Sequence, residues 1–61
     1  MEKMKGYING KLFITSDNLN LIKYSLEQEI KNNGAKTANI YIPKILNCSM
    51  EYKNGNWENE N

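Results

Sequence analysis

The sequence has no histidine, no arginine and no valine, and it has one cysteine and one proline. Enzyme active sites and structural metal centres draw heavily on histidine and on clustered cysteines. A single cysteine also excludes an internal disulfide. Because these residue types are missing, we expect a chain that is not an enzyme and that holds neither a metal nor a cofactor.

The length of the chain limits the core that it can build. A domain of 61 residues buries only about 60% of the surface that its unfolded chain exposes. Domains of this size usually need disulfides, a metal or oligomerisation to supplement the core. Since the first two are excluded by composition, we expect a homo-oligomer or a chain that docks on another protein.

The charges are nearly balanced, with eight lysines against seven acidic residues and a net charge of +1. This balance disfavours binding to a phosphate backbone by charge alone, and the arginine fork that recognises phosphate and guanine is missing. The sequence has no run of about 20 apolar residues, so no membrane span is expected. The first residues lead into no apolar signal segment, and we expect a protein of the bacterial cytoplasm.

The strongest local signal is a β-hairpin around Asn9 and Gly10, because Asn-Gly between two apolar runs suits a two-residue turn with positive φ. A regular register would pair Ile8 with Lys11, Tyr7 with Leu12, Gly6 with Phe13 and Lys5 with Ile14. One face of the hairpin would then carry Met4, Ile8 and Phe13, and the other face Tyr7, Leu12 and Ile14.

A helix is predicted over residues 17–33. Its apolar stripe recurs at helical spacing, at Leu19, Ile22, Leu26 and Ile30. Ser16, Asp17 and Asn18 are candidate N-caps, and we assign the capping role to Asp17. Gly34 is expected to end the helix in the left-handed conformation.

The rest of the chain predicts strands. Ala38, Ile40 and Ile42 alternate with polar positions and share one face, and Pro43 ends the strand or places it at an edge, with Ile45 and Leu46 as a continuation past a bulge. Asn54 and Gly55 predict a second hairpin in which Tyr52 lies opposite Trp57. Residues 58–61 are expected to form a disordered tail after a single domain of residues 1–57.

These elements predict an α+β fold with the order β-β-α-β, with or without a further C-terminal strand or hairpin, in which a single helix packs on a small and mainly antiparallel sheet. One helix covers one side of a sheet, yet the first hairpin is apolar on both sides. Either the end of the chain, with Met50, Tyr52 and Trp57, folds over the second side, or that side docks on another protein or on a copy of itself. Leu21 and Tyr24 fall nearly opposite the helix core stripe, and they are either isolated exposed side chains or a second contact.

Other reactive groups have simpler interpretations. Cys48 lacks a histidine to activate it, and we interpret it as a small apolar residue. Glu27 and Glu29 are two residues apart on a helix, so they do not form a carboxylate pair. The four glycines are explained by turns, the helix end and a hairpin.

The alternative to protein binding is nucleic-acid binding on a sheet. Aromatic side chains on a sheet can stack on bases and lysines can follow phosphates. The residues available are Tyr7, Phe13, Tyr41 and Trp57, with Lys5, Lys11, Lys36 and Lys44 nearby. The simpler interpretation, which the near balance of charges favours, is that the same aromatics form the core while the lysines protect edge strands.

The chain is short, is rich in residues with AT-rich codons such as asparagine, lysine, isoleucine and tyrosine, and lacks catalytic residue types. In these respects it resembles the small accessory proteins of phages and mobile elements. The resemblance implies an inhibitor or regulator that blocks the surface of a host protein, for example a defence nuclease complex. Aromatic anchors concentrate interface energy, and the predicted contact residues are Tyr7, Phe13, Tyr24, Tyr41 and Trp57. Glu51, Glu58 and Glu60 could imitate phosphates toward a basic groove.

Overall fold

The fold is α+β, as the sequence predicts. The computed structural model describes residues 3–43 and 48–60. Its elements, in chain order, are β1 (Met4–Ile8), β2 (Lys11–Ser16), α1 (Leu19–Asn33), β3 (Ala38–Ile42), β4 (Cys48–Lys53) and β5 (Asn56–Glu60). All pairings in the five-stranded sheet are antiparallel, and the strand order is β2-β1-β3-β4-β5. The predicted continuation at Ile45 and Leu46 lies outside the described residues.

Both Asn-Gly dipeptides form the predicted two-residue hairpin turns. The φ angles are 52° at Asn9 and 82° at Gly10, and they are 52° at Asn54 and 84° at Gly55. Positive φ at both central residues is the geometry whose twist matches that of the flanking strands. These two turns therefore set where β1 meets β2 and where β4 meets β5.

The register of the first hairpin is regular only next to its turn. Ile8 pairs with Lys11 and Tyr7 pairs with Leu12, as expected. Gly6 then pairs with Ile14, so Phe13 is the extra residue of a β-bulge. The predicted Gly6–Phe13 and Lys5–Ile14 pairs are wrong by one residue. The faces predicted for Phe13 and Ile14 are wrong for the same reason, because an inserted residue shifts every following side chain of β2 to the other face.

The helix begins two residues later than predicted. Asn18 is the N-cap, because its backbone is extended and its side-chain oxygen accepts a hydrogen bond of 3.2 Å from the Leu21 N–H. The Asn18 N–H in turn donates to the Ser16 hydroxyl oxygen over 3.0 Å. The assignment of the cap to Asp17 is therefore wrong. Gly34, with φ of 70°, ends the helix as expected.

The core lies between α1 and one face of the sheet. Its buried members are Ile22 and Leu26 on the helix and Ala38, Ile40 and Ile42 on β3. The alternation predicted for β3 is confirmed by this burial pattern. Partly buried residues complete the cluster, and they are Met4, Ile8, Ile14, Leu19, Ile30, Met50, Tyr52 and Trp57.

The helix approaches the sheet closely at Gly6 in β1. A Cβ atom built on Gly6 would lie 2.8 Å from the Cγ2 atoms of both Ile14 and Ile22 and 3.2 Å from Leu26 Cδ1. Only a residue without a side chain leaves room for the two isoleucines there. The sequence interpretation, which explained every glycine by a turn or a helix end, misses this role.

The turn of the first hairpin is tied to the loop that follows the helix. The side-chain oxygen of Asn9 accepts hydrogen bonds from the backbone N–H groups of Lys36 (2.9 Å) and Thr37 (3.2 Å). The Asn9 N–H donates to the Thr37 carbonyl oxygen over 3.0 Å. Asn9 therefore shapes its own turn and also aligns β3 beside β1.

The C-terminal hairpin, formed by β4 and β5, adds two strands beside β3 and does not fold back over either face of the sheet. Met50, Tyr52 and Trp57 pack against the core on the helix side, so of the two alternatives the one in which they fold over the second side is wrong. Glu58, Asn59 and Glu60 belong to β5. The structure thus differs from the predicted boundary at residue 57 and from the predicted tail, of which Asn61 lies outside the described residues.

Gly6→Ala should lower the free energy of unfolding by about 1–3 kcal/mol, because the added methyl group overpacks the contact between helix and sheet. Glycine-to-alanine changes at unstrained positions usually stabilise a protein by about 0.4–1 kcal/mol. A decrease in the free energy of unfolding would therefore itself indicate overpacking at Gly6. Urea unfolding followed by circular dichroism measures the effect. Lys5→Ala, on the opposite face of the same strand, is the control and should change stability by no more than about 0.5 kcal/mol. A Gly6→Ala variant as stable as the parent would contradict the close approach.

Candidate interaction surface

The sheet has a second face, which points away from α1. Directly paired residues share a face, so the pairings place two rows of side chains there. The first row runs from β2 to β5 through Leu12, Tyr7, Asn39, Glu51 and Glu58. The second row runs through Thr15, Lys5, Tyr41 and Ser49. We call these nine residues the open face, because no helix or strand within residues 3–43 and 48–60 packs against them.

The β2 end of the open face is apolar. The bulge sets two residues of β2, Leu12 and Phe13, against the single residue Tyr7 of β1. Leu12 is 56% exposed and Phe13 is 47% exposed. Neither of these side chains, nor that of Tyr7, belongs to the core cluster. Large apolar side chains that stay grouped in solvent are typical of interaction sites.

The centre of the open face combines a second tyrosine with a lysine. Tyr41 on β3 pairs directly with Lys5 on β1, and Tyr7 is the diagonal neighbour of Tyr41. Diagonal side chains on adjacent strands lie within reach of one another when they are aromatic. Tyr7, Lys5 and Tyr41 are each half-buried, which is the expected state of residues flanked by neighbours on the inner strands of a sheet.

The other end of the open face is acidic. Glu51 on β4 pairs directly with Glu58 on β5. Like charges directly opposite each other on neighbouring strands are unfavourable. Lys53 offsets part of this repulsion, because its Nζ lies 3.5 Å from Glu51 Oε1. The open face therefore changes from apolar and basic at β2 and β1 to acidic at β4 and β5.

Trp57, a predicted partner contact, lies on the helix side of the sheet. Its indole Nε1–H donates a 2.8 Å hydrogen bond to the carboxylate oxygen Oε2 of Glu27 on α1. Its ring also packs on Tyr52, with 5.0 Å between the ring centroids and 58° between the planes, which confirms the predicted cross-strand pair. Trp57 thus joins β5 to the helix and is not part of the open face.

Tyr24 lies on the solvent side of α1, far from the open face. It is 63% exposed, and Leu21, one turn away on the same side of the helix, is 47% exposed. The five predicted contact residues therefore fall in three places. Tyr7 and Tyr41 share the open face with Phe13 at its margin, Tyr24 lies on the helix, and Trp57 lies between helix and sheet. The contribution of Leu12 was missed, although its pairing with Tyr7 follows from the hairpin register.

The arrangement offers binding groups and no grouping suited to metal chemistry. No cluster of three or more histidine, cysteine, aspartate or glutamate side chains occurs in the part of the chain that the structure describes. Cys48 pairs with Ile42 through the backbone at the start of β4. The open face itself supplies tyrosine hydroxyls, carboxylates, an ammonium group and apolar surface, all of which can bind a partner without reacting.

The helix of the described residues, α1, is too short and too polar to cross a bilayer. Comparison of the chain with protein-family models, with curated proteins and with solved structures gave no match. The open face is therefore the main guide to the function of this chain.

The Trp57–Glu27 hydrogen bond should contribute to stability. Trp57→Phe keeps an aromatic ring against Tyr52 but removes the donor, so we expect the free energy of unfolding to fall by about 1–2 kcal/mol. A double-mutant cycle with Glu27→Ala, measured by urea unfolding and circular dichroism, should give a coupling energy of about 1 kcal/mol. The matched cycle uses Glu29→Ala, because Glu29 accepts a hydrogen bond from Asn33 on its own helix. Equal coupling in both cycles would show that Trp57 acts by ring packing alone.

Proposed function

We propose that this chain is a non-catalytic protein-binding module that inhibits or regulates a larger protein by covering part of its surface. The observation that carries the proposal is the open face, where Tyr7 lies beside the exposed side chains of Leu12 and Phe13 and diagonal to Tyr41. Tyrosine supplies a large contact area and a hydroxyl for hydrogen bonding at a low cost in conformational entropy. A flat sheet face with such anchors suits steric blocking of another protein.

The sheet face is a better candidate than the sheet edges for this contact. The two edge strands are β2 and β5. The bulge at Phe13 interrupts the regular pattern of backbone groups along β2, and bulges and charged residues on edge strands are known to discourage strand addition. β5 consists of polar and acidic residues apart from Trp57. Addition of a strand from the partner is therefore the weaker form of the proposal.

The distribution of charge favours a protein partner over nucleic acid. A nucleic acid lying across all five strands would bring its phosphates next to Glu51 and Glu58. The overall net charge of +1 supplies little long-range attraction. A protein partner can match the apolar, basic and acidic parts of one surface, and mixed surfaces of this kind give specificity.

The alternative function, a small nucleic-acid-binding regulator, is supported by one local arrangement. Lys5 lies directly opposite Tyr41, with Tyr7 diagonal to it. A base stacked on a tyrosine there would have its phosphate near the lysine. This footprint is confined to β1 and β3, so it would hold a short single strand.

The general character of the chain supports a narrower form of the proposal. We propose a phage-type or mobile-element accessory protein that acts in the cytoplasm of a bacterial host. The support is the small size of the chain, its abundance of residues with AT-rich codons and its lack of histidine and arginine. A host defence protein, such as a nuclease complex, is the target class that we propose. Glu51 and Glu58 would face basic residues of that target.

Replacing the two open-face tyrosines should abolish capture of the target. Tagged wild-type protein is incubated with lysate of the bacterial host, and the retained proteins are identified by mass spectrometry. We expect Tyr7→Ala combined with Tyr41→Ala to lose a partner that wild type retains, at least tenfold by quantitation, because aromatic anchors dominate interface energy. Tyr24→Ala, which removes an exposed tyrosine on the helix, should retain the same partner. If the double variant retains it and Tyr24→Ala loses it, the target-binding surface is the helix.

Binding to single-stranded DNA or RNA should be undetectable even at low salt. Fluorescence anisotropy of a labelled oligonucleotide, titrated with protein at several salt concentrations, measures this directly. Affinity that falls with salt at a slope of about 0.7 per phosphate contact, and that weakens with Lys5→Ala but not with Lys36→Ala, would instead support the nucleic-acid alternative.

A further inference from the structure

We propose that the open face, while no target covers it, is the interface of a homodimer, in which two copies pack face to face about a two-fold axis parallel to β3. The inference rests on the proposed function in so far as it takes the open face to be a protein-binding surface, and it names a second copy of this chain as an occupant. Three observations carry it, namely the strand order, the distribution of charge and the position of Tyr41.

The strand order makes the face symmetric about its centre. β3 is the middle strand of β2-β1-β3-β4-β5. Rotation about an axis along β3, midway between two stacked sheets, places β1 over β4 of the second copy and β2 over its β5. Each contact of this kind occurs twice, as a two-fold interface requires. The strand directions of the two sheets stay aligned, which is a common arrangement for packed sheets.

The charges of the face are complementary under this rotation. Lys5 on β1 comes over Ser49 on β4 of the second copy, and its long side chain extends from there toward Glu51, the next residue of β4 on the same face. Tyr7 comes over the same glutamate, so that its hydroxyl can donate to the carboxylate. The basic and apolar half of each copy therefore covers the acidic half of the other. The Glu51–Glu58 repulsion within one sheet is then relieved by the lysine of its neighbour.

The other two-fold arrangement is unfavourable. An axis perpendicular to the strands would place β4 and β5 over the same strands of the second copy. With the axis at the level of Glu51 and Glu58, each of these carboxylates would face its own counterpart, and all four would meet in one half of the interface. Like-charge contacts of this kind oppose association, so the charge pattern selects the axis along β3.

The position of Tyr41 supplies a contact on the axis itself. Tyr41 lies on β3, and rotation about this strand brings it over Tyr41 of the second copy. Two aromatic rings in offset contact at the centre of an interface, surrounded by polar neighbours, match the usual anatomy of a protein interface. Asn39, two residues earlier on β3, would meet its own counterpart, and amide side chains can pair by mutual hydrogen bonding.

The area of the face sets the expected strength of the dimer. Five strands spaced about 4.8 Å apart and about 17 Å long give a planar area of roughly 400 Å² per copy. Specific interfaces usually bury about 800 Å² per partner. The dimer is therefore small, and we expect a dissociation constant in the micromolar range or weaker.

Charge reversal tests the arrangement. Sedimentation equilibrium, with the full chain at micromolar to millimolar concentration in 0.15 M salt (about an 8 Å screening length), should show a dimer for the wild type. Lys5→Glu alone, and Glu51→Lys combined with Glu58→Lys, should each weaken dimerisation at least tenfold. An equimolar mixture of these two variants should form a heterodimer, because each acidic patch then meets a basic one. Lys36→Glu, the same charge change in an exposed loop, should leave dimerisation unchanged.

The possible outcomes separate this inference from the proposed function. The dimer would be overturned if the wild type stays monomeric at millimolar concentration, if Lys5→Glu leaves dimerisation unchanged, or if the mixture of the two variants fails to associate. If the dimer fails but the Tyr7 and Tyr41 replacements still abolish target capture, the proposed function stands alone. If the dimer forms and no target is captured, self-association alone stands. Should loss of the Glu51–Lys53 ion pair unfold the double variant, as judged by circular dichroism, Glu51→Lys combined with Lys53→Glu replaces it in the mixture, because this exchange keeps an ion pair between the two positions.

Discussion

The contact between α1 and the first strand pair is the interaction on which the rest of the structure depends. Ile22 and Leu26 of the helix are fully buried, and Gly6 provides the space that the helix needs to reach the sheet. Burial of each of these side chains contributes about 1.5–3 kcal/mol, which is a large share of the stability of a domain this small. Because Gly6 pairs with both Ile14 and Ile40, the same point also joins three strands.

A single helix on a five-stranded sheet leaves the molecule asymmetric. The apolar residues of the C-terminal hairpin, Met50 and Tyr52 with Trp57, add to the helix side. The face opposite the helix, from Leu12 to Glu58, therefore keeps its mixture of apolar, tyrosine and charged side chains. This division of the sheet into one covered and one uncovered side is the structural basis of the proposed target binding and of the proposed dimer.

Much of this fold was predictable from short sequence patterns. The two Asn-Gly turns, the helix with Gly34 at its end and the alternation in β3 depend on local geometry, and each is confirmed. The bulge was not predictable, because β2 keeps an apolar pattern on both sides of Phe13 and only pairing with β1 reveals the inserted residue. Hydrogen bonds over long sequence distances, such as the one between Trp57 and Glu27, were missed for the same reason. The open face was expected as a possibility, but its charge gradient depends on the strand order, in which β3 lies between the first hairpin and the second.

The placement of the helix also has a dynamic consequence. Within the described residues α1 packs on β1, β2 and β3, whereas β4 and β5 are held by the ladder to β3, by the Trp57 indole and by the partly buried side chains of Met50 and Tyr52. Cooperative units with fewer tertiary contacts open first under native conditions. The C-terminal hairpin is such a unit, and its opening would uncover one side of β3 while the helix and the first hairpin stay folded. We therefore expect local unfolding of this small protein to begin with separation of β4 from β3.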